Sequence, residues 1–483
     1  MFTPPPLTET DFQFHELFDH QAVHQASHPF YAWLDDSSSH VVEVSHLEFD
    51  RAGHRAAALL FPSGPQALTG EKIGLFALAH HIHYQAVFLG LLRAGVTPLV
   101  ITPYCNPAVV ARMFTSIGCK RVLVSPNLSS TGFGFVESVM SALGPHANMA
   151  FEDIPSLETL FPRLGCETAD DQFAPFTALG SRQNLDDVAF FMYTSGTTGT
   201  PKAVPHTQRF ILARCALLPK SGKPLLRDCP VSISTFPTSG TRHHLLKSLI
   251  SGTVTFVTPP SEFNHMSTPF STSATNVNKM LEYAIRGGCG RISTLPACIQ
   301  IWAESPRAIS LLKQLSYGVD FAGAPLSTSL GTQLVKSGVQ LNVLYGSTEI
   351  GLMLIMNPTH LERGTNAEEW MYIEFPPEVN LRVVSAPETS FVEIQFLASE
   401  SYRPAVCNIP DVEGFQTGDV FEAQPSKERT WKFVGTNDDT IIHSSTAKTT
   451  PGPIEDTIQS HEVVKGVIAF GEGRDKVGIL VEY

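Results

Sequence analysis

The sequence predicts an α/β fold: two α/β lobes and a β-rich section, followed by an incomplete small α/β C-terminal subdomain. Three observations predict it. At 483 residues the chain is too long for one hydrophobic core, because such cores stop growing near ~250–300 residues. Short apolar runs alternate with longer segments of helical period, first over 72–126 and again over 231–344, which is the sequence form of parallel β-α-β units. Beyond about Arg382 the pattern changes to short runs of period two, which reads as a β-rich section.

The first lobe reads as strand 72–77, helix 84–95, strand 96–102, helix 107–118 and strand 121–125. Right-handed crossovers onto a parallel sheet follow from that order. The Ser-, Gly- and Pro-rich stretch 126–185 carries few periodic segments and is expected to hold loops. A second series at 231–236, 245–250, 254–257, 314–322, 327–336 and 339–344 implies a second lobe of the same class, with the short alternating runs 391–396 and 430–434 after it. The division is placed at 420: residues 1–420 form the core and 421–483 the start of a smaller, truncated terminal subdomain.

Composition excludes several classes. Hydrophobic residues make up 43% and charged residues 16%, which is too apolar for a disordered solvating chain. The 33 Lys and Arg against 46 Asp and Glu leave a net charge of −13, the wrong sign for a broad phosphate-backbone surface, so no nucleic-acid partner is expected. Eight scattered cysteines without a Cys-x-x-Cys pair read as reduced, mostly buried thiols. The amino terminus has no basic region leading into an apolar run. The most apolar stretch, 73–92, is interrupted by His80, His81, His83, Tyr84 and Gln85, so no membrane span is expected. A cytoplasmic location is the expectation.

An apolar strand at 188–193 runs into Thr194, Ser195, Gly196, Thr197, Thr198, Gly199, Thr200, Pro201 and Lys202. Two glycines let the backbone turn and present N–H groups, the hydroxyls add donors, and Lys202 adds a positive charge. Together these suit a phosphate. Pro201 before the lysine and the strand-like residues 203–205 separate it from the Walker type, and a flexible linker is the plain alternative.

Residues 193–202 resemble the phosphate loop of the adenylate-forming enzymes, the superfamily of acyl-CoA synthetases and peptide-synthetase adenylation domains. Three further segments resemble that family in order. Phe321, Ala322, Gly323, Ala324, Pro325 and Leu326 resemble its adenine and substrate pocket wall. The run Asn342 to Gly351, with Tyr345, Gly346, Ser347, Thr348 and Glu349, resembles its aromatic and acidic motif. Gln416, Thr417, Gly418 and Asp419 resemble its ribose motif. The resemblance implies the two-lobe fold, ATP and Mg²⁺ as cofactors, and release of pyrophosphate as a carboxylic acid becomes acyl-AMP. It implies that Thr194, Ser195, Thr197, Thr198 and Lys202 hold the β- and γ-phosphates, Thr348 the α-phosphate and Glu349 the metal. Tyr345 is implied to stack on adenine and Asp419 to accept the ribose hydroxyls. The elementary chemistry agrees, since Mg²⁺ takes hard oxygens and often only one or two carboxylates beside phosphates.

The tail, with Asp438 at the hinge and residues 435–444, 448–455 and 470–474, is most similar to adenylation domains of fungal peptide-synthetase-like carboxylic acid reductases. That implies downstream carrier and reductase domains, with phosphopantetheine on the carrier and not on this chain. Three departures accompany the resemblance. Thr436 stands where the hinge arginine is expected, and Thr446 and Ala447 precede Lys448 in place of a Gly-Glu pair. No late lysine closes the terminal subdomain. The pocket segment, with Phe236, Thr238, Ser239, His243 and Ala322 as substrate candidates, offers Pro237 where amino-acid-activating relatives carry an aspartate. An ammonium buried without that partner is costly, so an aryl or aliphatic acid lacking an α-amino group is expected.

Other candidates read as structural. His80, His81 and His83 lack a second ligand cluster and read as a partly exposed helix start. His244 with His243 reads as a helix-face pair or a substrate contact, and His206 as support behind the loop. No Gly-x-Ser-x-Gly elbow anchors a hydrolase and no Gly-x-Gly-x-x-Gly anchors a reductase cofactor. Two alternatives stay open: an acyl- or aryl-CoA ligase fragment, and a shortened non-catalytic homologue that binds nucleotide and acid.

Overall fold

The computed structural model describes residues 2–7, 12–35, 40–64, 70–103, 105–126, 134–144, 148–177, 184–194, 201–218, 226–231, 239–263, 274–353, 369–385, 391–437, 439, 441–443, 448–461, 463–474 and 476–483. The chain forms two compact units, one of residues 1–271 with 286–289 and one of 272–285 with 290–483. The predicted α/β class holds in both.

In the first unit a six-stranded sheet has the order Ala150–Asp153, Arg121–Val124, Lys72–Phe76, Thr97–Val100, Val188–Tyr193, Ala203–Thr207. Every pair is parallel except the last. Its central strands read as near-continuous apolar runs because helices cover both faces, and Ile73, Leu75, Leu99, Val100, Val122 and Leu123 are fully buried. The helix Pro107–Ile117 begins where Asn106 caps it by accepting from the Ala108 N–H, and ends at Gly118, which takes a left-handed φ of 75°.

The stretch 126–185 departs from the loop expectation. It contains the helix Phe135–Leu143, the strand Ala150–Asp153 that closes one sheet edge, and the turn of helix Leu157–Leu160. The strand escaped the apolar signal because an edge strand needs little burial; its Glu152 instead takes a two-pronged hydrogen bond from Arg121, at 2.9 and 2.8 Å. A second group of strands in this unit runs Arg227–Pro230, Val254–Phe256, Pro29–Leu34, Val41–Ser45. The run expected over 231–236 lies almost wholly outside the described residues, which omit 232–238, and the strand found beside it is Arg227–Pro230. Polar Arg227 and Asp228 concealed it, yet Asp228 is fully buried and paired with Lys247 of the helix Ser239–Ser251. That helix also absorbs 245–250.

His80 and His81 are buried, at 5% and 3% exposure, so the partly exposed helix start is corrected. The physical reason is the packing of the helix His81–Arg93, which is almost wholly buried along its length. Arg93, 4% exposed, donates to both Asp19 and Asp50 of the two neighbouring helices. Five of the eight cysteines are buried and none of the eight is in a disulfide. Among the described residues no helix is long and apolar enough to cross a membrane.

In the second unit the strands Arg291–Thr294, Val319–Phe321 and Leu341–Val343 pair in parallel, with the helix Thr328–Lys336 between the last two. The hairpin Tyr345–Ser347 with Gly351–Met353 follows. A five-stranded antiparallel sheet has the order Tyr372–Glu374, Thr430–Thr436, Gly414–Ala423, Val392–Leu397, Asn380–Ser385, so the β-rich section begins ten residues ahead of Arg382. A break at 420 would cut the strand Gly414–Ala423, and the sheet runs on to Thr436. The tail holds the helix Gly452–Gln459 and the hairpin Gly466–Phe470 with Gly478–Glu482.

This packing is testable at two positions. Arg93→Met leaves Asp19 and Asp50 without their arginine, and His54, at 3.4 and 3.6 Å, remains beside both. It is expected to lower the urea-unfolding free energy by about 3–5 kcal/mol; a loss below about 1 kcal/mol would show that His54 and water satisfy the two carboxylates. At Gly346 an added Cβ would lie 2.4 Å from the Gly351 carbonyl oxygen and 2.6 Å from the Leu352 Cα. Backbone cannot yield cheaply, so Gly346→Ala is expected to cost about 1–3 kcal/mol in the same measurement.

Candidate functional site

Three of the four motifs follow strands that pair in parallel, which is where open α/β sheets offer backbone groups to ligands, and the fourth, 416–419, lies within the antiparallel strand Gly414–Ala423. In the first unit Val188–Tyr193 leads out of the six-stranded sheet and Ala203–Thr207 returns antiparallel beside it. The Thr194 N–H donates to the Lys202 carbonyl at 3.0 Å, closing the base of the intervening loop. Ser195, Gly196, Thr197, Thr198 and Gly199 lie outside the described residues. Lys202 is exposed. Behind the loop, His206 is buried between the rings of Phe190 and Phe210, at 5.0 and 4.6 Å. Tyr193 hydrogen-bonds the Cys105 thiol, and burial pushes that thiol up to about 11, which keeps it protonated and unreactive.

Phe236, Thr238 and Asp438 are also outside the described residues, and Ser239 is the first residue of the helix Ser239–Ser251. His243 on that helix is buried, and among the described residues its Nε2 has no hydrogen-bond partner. Burial, then Lys247, His244 and Arg214, holds its ring well below the usual imidazole range, against a smaller opposing pull from Asp228. It is a neutral imidazole at pH 7.

The second unit brings three of the motifs together. The Leu344 N–H donates to the Phe321 carbonyl at 2.8 Å, which joins the turn Ala322, Gly323, Ala324, Pro325 to the start of the Tyr345 hairpin. Gly323 takes a φ of 92°, a conformation that favours glycine, and Gly323, Ala324 and Pro325 are exposed at the strand end. Ser347, Thr348 and Glu349 occupy the half-buried bend of the hairpin. The bend is fixed from several sides: the Ile350 N–H donates to Ser347 Oγ at 3.4 Å, the Ala405 N–H to the Glu349 carbonyl at 2.7 Å, and the Tyr402 hydroxyl to the Ile350 carbonyl at 3.3 Å. The Glu349 side chain thus starts from a held backbone.

Tyr345 and Asp419 meet directly. The Tyr345 hydroxyl donates to Asp419 Oδ2, and the phenolic oxygen lies 3.1 Å from Thr417 Oγ1. Thr417 Oγ1 in turn accepts the Asp419 N–H at 3.1 Å. The Tyr345 ring is only 8% exposed. It stacks at 6.1 Å on Phe396 and meets the edges of Phe375 and Phe421 at 5.6 and 5.2 Å. Most of the ring is therefore spent on this cage, and its hydroxyl is the group turned to chemistry. Burial raises the Asp419 carboxyl to about 6, against the lowering hydrogen bonds from Tyr345 and Thr417, while Glu393 and Asp439 push it further up. Among the described residues it has no cationic partner.

Sequence reasoning missed Phe375, Phe396, Phe421, Glu393 and Asn437. The phenylalanines are inward positions of alternating strands, a signal that exists, but which strands lie side by side is not written in any one segment. Asn437 donates its N–H to the Gly418 carbonyl at 2.7 Å and its side-chain amide to Glu393 at 3.2 Å, tying the end of the sheet to the segment 416–419.

Comparison with known proteins gives the family. Residues 18–392 match the AMP-binding enzyme family and residues 438–483 its C-terminal domain. The chain is similar to adenylate-forming reductase Nps11 of Serpula lacrymans var. lacrymans, 36% identical over 99% of this chain and 43% of that protein. It is also similar to adenylate-forming reductase Nps9 of the same fungus, 32% identical over 97% of this chain and 42% of that protein. The chain thus spans about two fifths of the length of these relatives. Among solved structures, the anthranilate CoA ligase AuaEII in complex with anthranoyl-AMP has a TM-score of 0.73 at 15% identity, over 97% of this chain and 86% of that one. ATP-bound MatB from Rhodopseudomonas palustris has a TM-score of 0.72 at 17% identity, over 97% and 88%. These structures share the two-lobe fold. With a family match over most of its length, the chain belongs to the AMP-binding enzyme family and has the lineage of an adenylate-forming ligase.

Proposed function

We propose that the chain activates a carboxylic acid with ATP, forming acyl-AMP and releasing pyrophosphate, as the adenylation part of a reductase. The observation that carries this reading is Asp419. A half-buried carboxylate is often paired with a cation, but here the Tyr345 hydroxyl holds one of its oxygens, which keeps acceptor capacity for the hydroxyls of a ribose. The names of the relatives Nps11 and Nps9 support the reductase context.

In this reading the acid's carboxylate attacks the α-phosphorus in line and pyrophosphate leaves. Backbone N–H groups of the loop 194–202, the hydroxyls of Thr194, Ser195, Thr197 and Thr198, and Lys202 hold the β- and γ-phosphates. Thr348 meets the α-phosphate. Gly323, Ala324 and Pro325 border the adenine with Tyr345, Gly346 and Ser347, and Asp419 takes the ribose. Stabilising charge on the crowded phosphate oxygens is the main catalytic contribution expected of these groups. Glu349, a single carboxylate on a held bend, fits Mg²⁺ as a hard oxygen ligand, and the ion when bound supplies neutralising charge to the phosphates. Phe236, Thr238, Ser239, His243 and Ala322 are assigned to the acid. A neutral His243 offers no charge for an α-carboxylate pair and Pro237 none for an ammonium, which supports an aryl or aliphatic acid. The anthranoyl-AMP in the structural relative is an aryl example.

The subdomain that moves between half-reactions is assigned to the residues after Thr436, with Asp438 at the hinge. Transfer of the acyl group to phosphopantetheine on a carrier domain, and its reduction to an aldehyde on a third domain, complete the proposed sequence in the longer protein. The greater length of the matched relatives supports that assignment.

ATP–pyrophosphate exchange over a panel of aryl, aliphatic and amino acids tests the reading. Exchange is expected with an aryl or aliphatic group and not with the corresponding amino acids; silence across the panel would favour a non-catalytic binding protein. Consumption of coenzyme A would favour an acyl- or aryl-CoA ligase. In the same assay Lys202→Ala is expected to lower exchange by about 10²–10³-fold while leaving acid affinity within about twofold. Equal loss of both would remove Lys202 from the phosphate side.

A further inference from the structure

We propose that the Tyr345 hydroxyl is a positioning residue for the nucleotide: it holds one oxygen of the Asp419 carboxylate, leaving the other, Oδ1, to receive ribose hydroxyls. This rests on the reading of Asp419 as the ribose acceptor and adds a second residue to it, acting through the first.

The geometry is specific to the hydroxyl and not to the ring. Tyr345 reaches Asp419 Oδ2 from the separate two-stranded hairpin, while its ring is fixed by Phe396, Phe375 and Phe421. A ring so confined cannot swing its oxygen away, so the acceptor is held in one rotamer. A phenol has one proton, and the carboxylate is the stronger acceptor, so that proton goes to Asp419. Thr417 Oγ1, which accepts the Asp419 N–H, lies 3.1 Å from the phenolic oxygen, so the three groups form one connected cluster. Such an arrangement orders the acceptor before a ligand arrives, and the entropy of ordering it is not spent on binding.

The charged and titratable groups facing Asp419 are Glu393 on the adjacent strand and Asp439 beyond Thr436, both of which raise it, and Tyr345, which lowers it. The carboxylate sits at about 6 with the phenol in place. Its ionised form is the one that accepts ribose hydroxyls, so this contribution to binding is present above about 6 and lost as pH falls through it. Removing the phenol removes a lowering hydrogen bond and moves that limb to higher pH.

The test compares ATP with 2′,3′-dideoxy-ATP, whose phosphates titrate alike, by calorimetric binding from pH 5 to 8 in the wild type, Tyr345→Phe and Asp419→Asn. The wild type is expected to prefer ATP, with the preference fading below about pH 6. Tyr345→Phe preserves the ring cage, so the melting temperature is expected to hold and dideoxy-ATP affinity to fall less than ATP affinity. Its preference for ATP is expected to fall about tenfold, the worth of one hydrogen bond to a charged group, and its acid limb to move upward. Asp419→Asn is expected to abolish both the preference and the limb. A Tyr345→Phe protein with the wild-type ratio and limb would overturn the positioning role, as would equal loss of ATP and dideoxy-ATP. A wild type that binds both alike would instead overturn the ribose reading of Asp419, and this inference with it.

Discussion

Parallel strand pairing is the constraint on which the rest of this molecule depends. Strands that run the same way need a crossover between them, so their carboxyl ends collect along one edge. Val188–Tyr193 beside Thr97–Val100 leads into the segment 194–202, Val319–Phe321 into the Gly323 turn, and Leu341–Val343 into the Tyr345 hairpin. The motif residues at those ends are short, polar and glycine-rich, whereas Thr417 and Asp419 lie within the antiparallel strand Gly414–Ala423. The same constraint explains why the central strands of the six-stranded sheet are spent mainly on Ile, Leu, Val and Phe.

What was legible in the sequence follows from that division. Central strands such as Lys72–Phe76 and Val188–Tyr193 announce themselves by continuous apolar residues, and the helix Pro107–Ile117 by its cap, proline and terminal glycine. Ala150–Asp153 was not legible because an edge strand has one neighbour and little to bury. Arg227–Pro230 was not legible for the opposite reason: Asp228 is buried but compensated by Lys247 from a helix that begins eleven residues later, and no local pattern records such a pairing. The buried His80 and His81 mislead in the same way, because a polar residue in sequence reads as exposed until its three-dimensional neighbours are known.

The candidate site divides along the same line. Its motifs were legible because the phosphate, metal and ribose contacts proposed for them each call for a definite residue type at a definite place in the motif. The support around them was not. Phe375, Phe396 and Phe421 come from different segments of the chain, and their convergence on Tyr345 is a product of antiparallel register, with Val392 opposite Phe421 and Phe396 opposite Phe415. The contact between Tyr345 and Asp419 spans 74 residues, so neither motif alone predicts that the two share a proton donor and acceptor.

The choice of partner for Asp419 has an energetic logic. An arginine beside it would bind a buried carboxylate tightly, and a ligand would then have to displace a charge from a charge, with several kcal/mol at stake for breaking a buried pair. Hydroxyl donors contribute less each, about 0.5–1.5 kcal/mol for an ordinary hydrogen bond and more to a charged acceptor. They leave the carboxyl at about 6, poised and only partly satisfied. The site thereby keeps acceptor capacity that only another hydroxyl can use without desolvating a cation. Fixing the donor in an aromatic cage limits the cost of that restraint, because the ring is ordered by packing that the fold needs in any case.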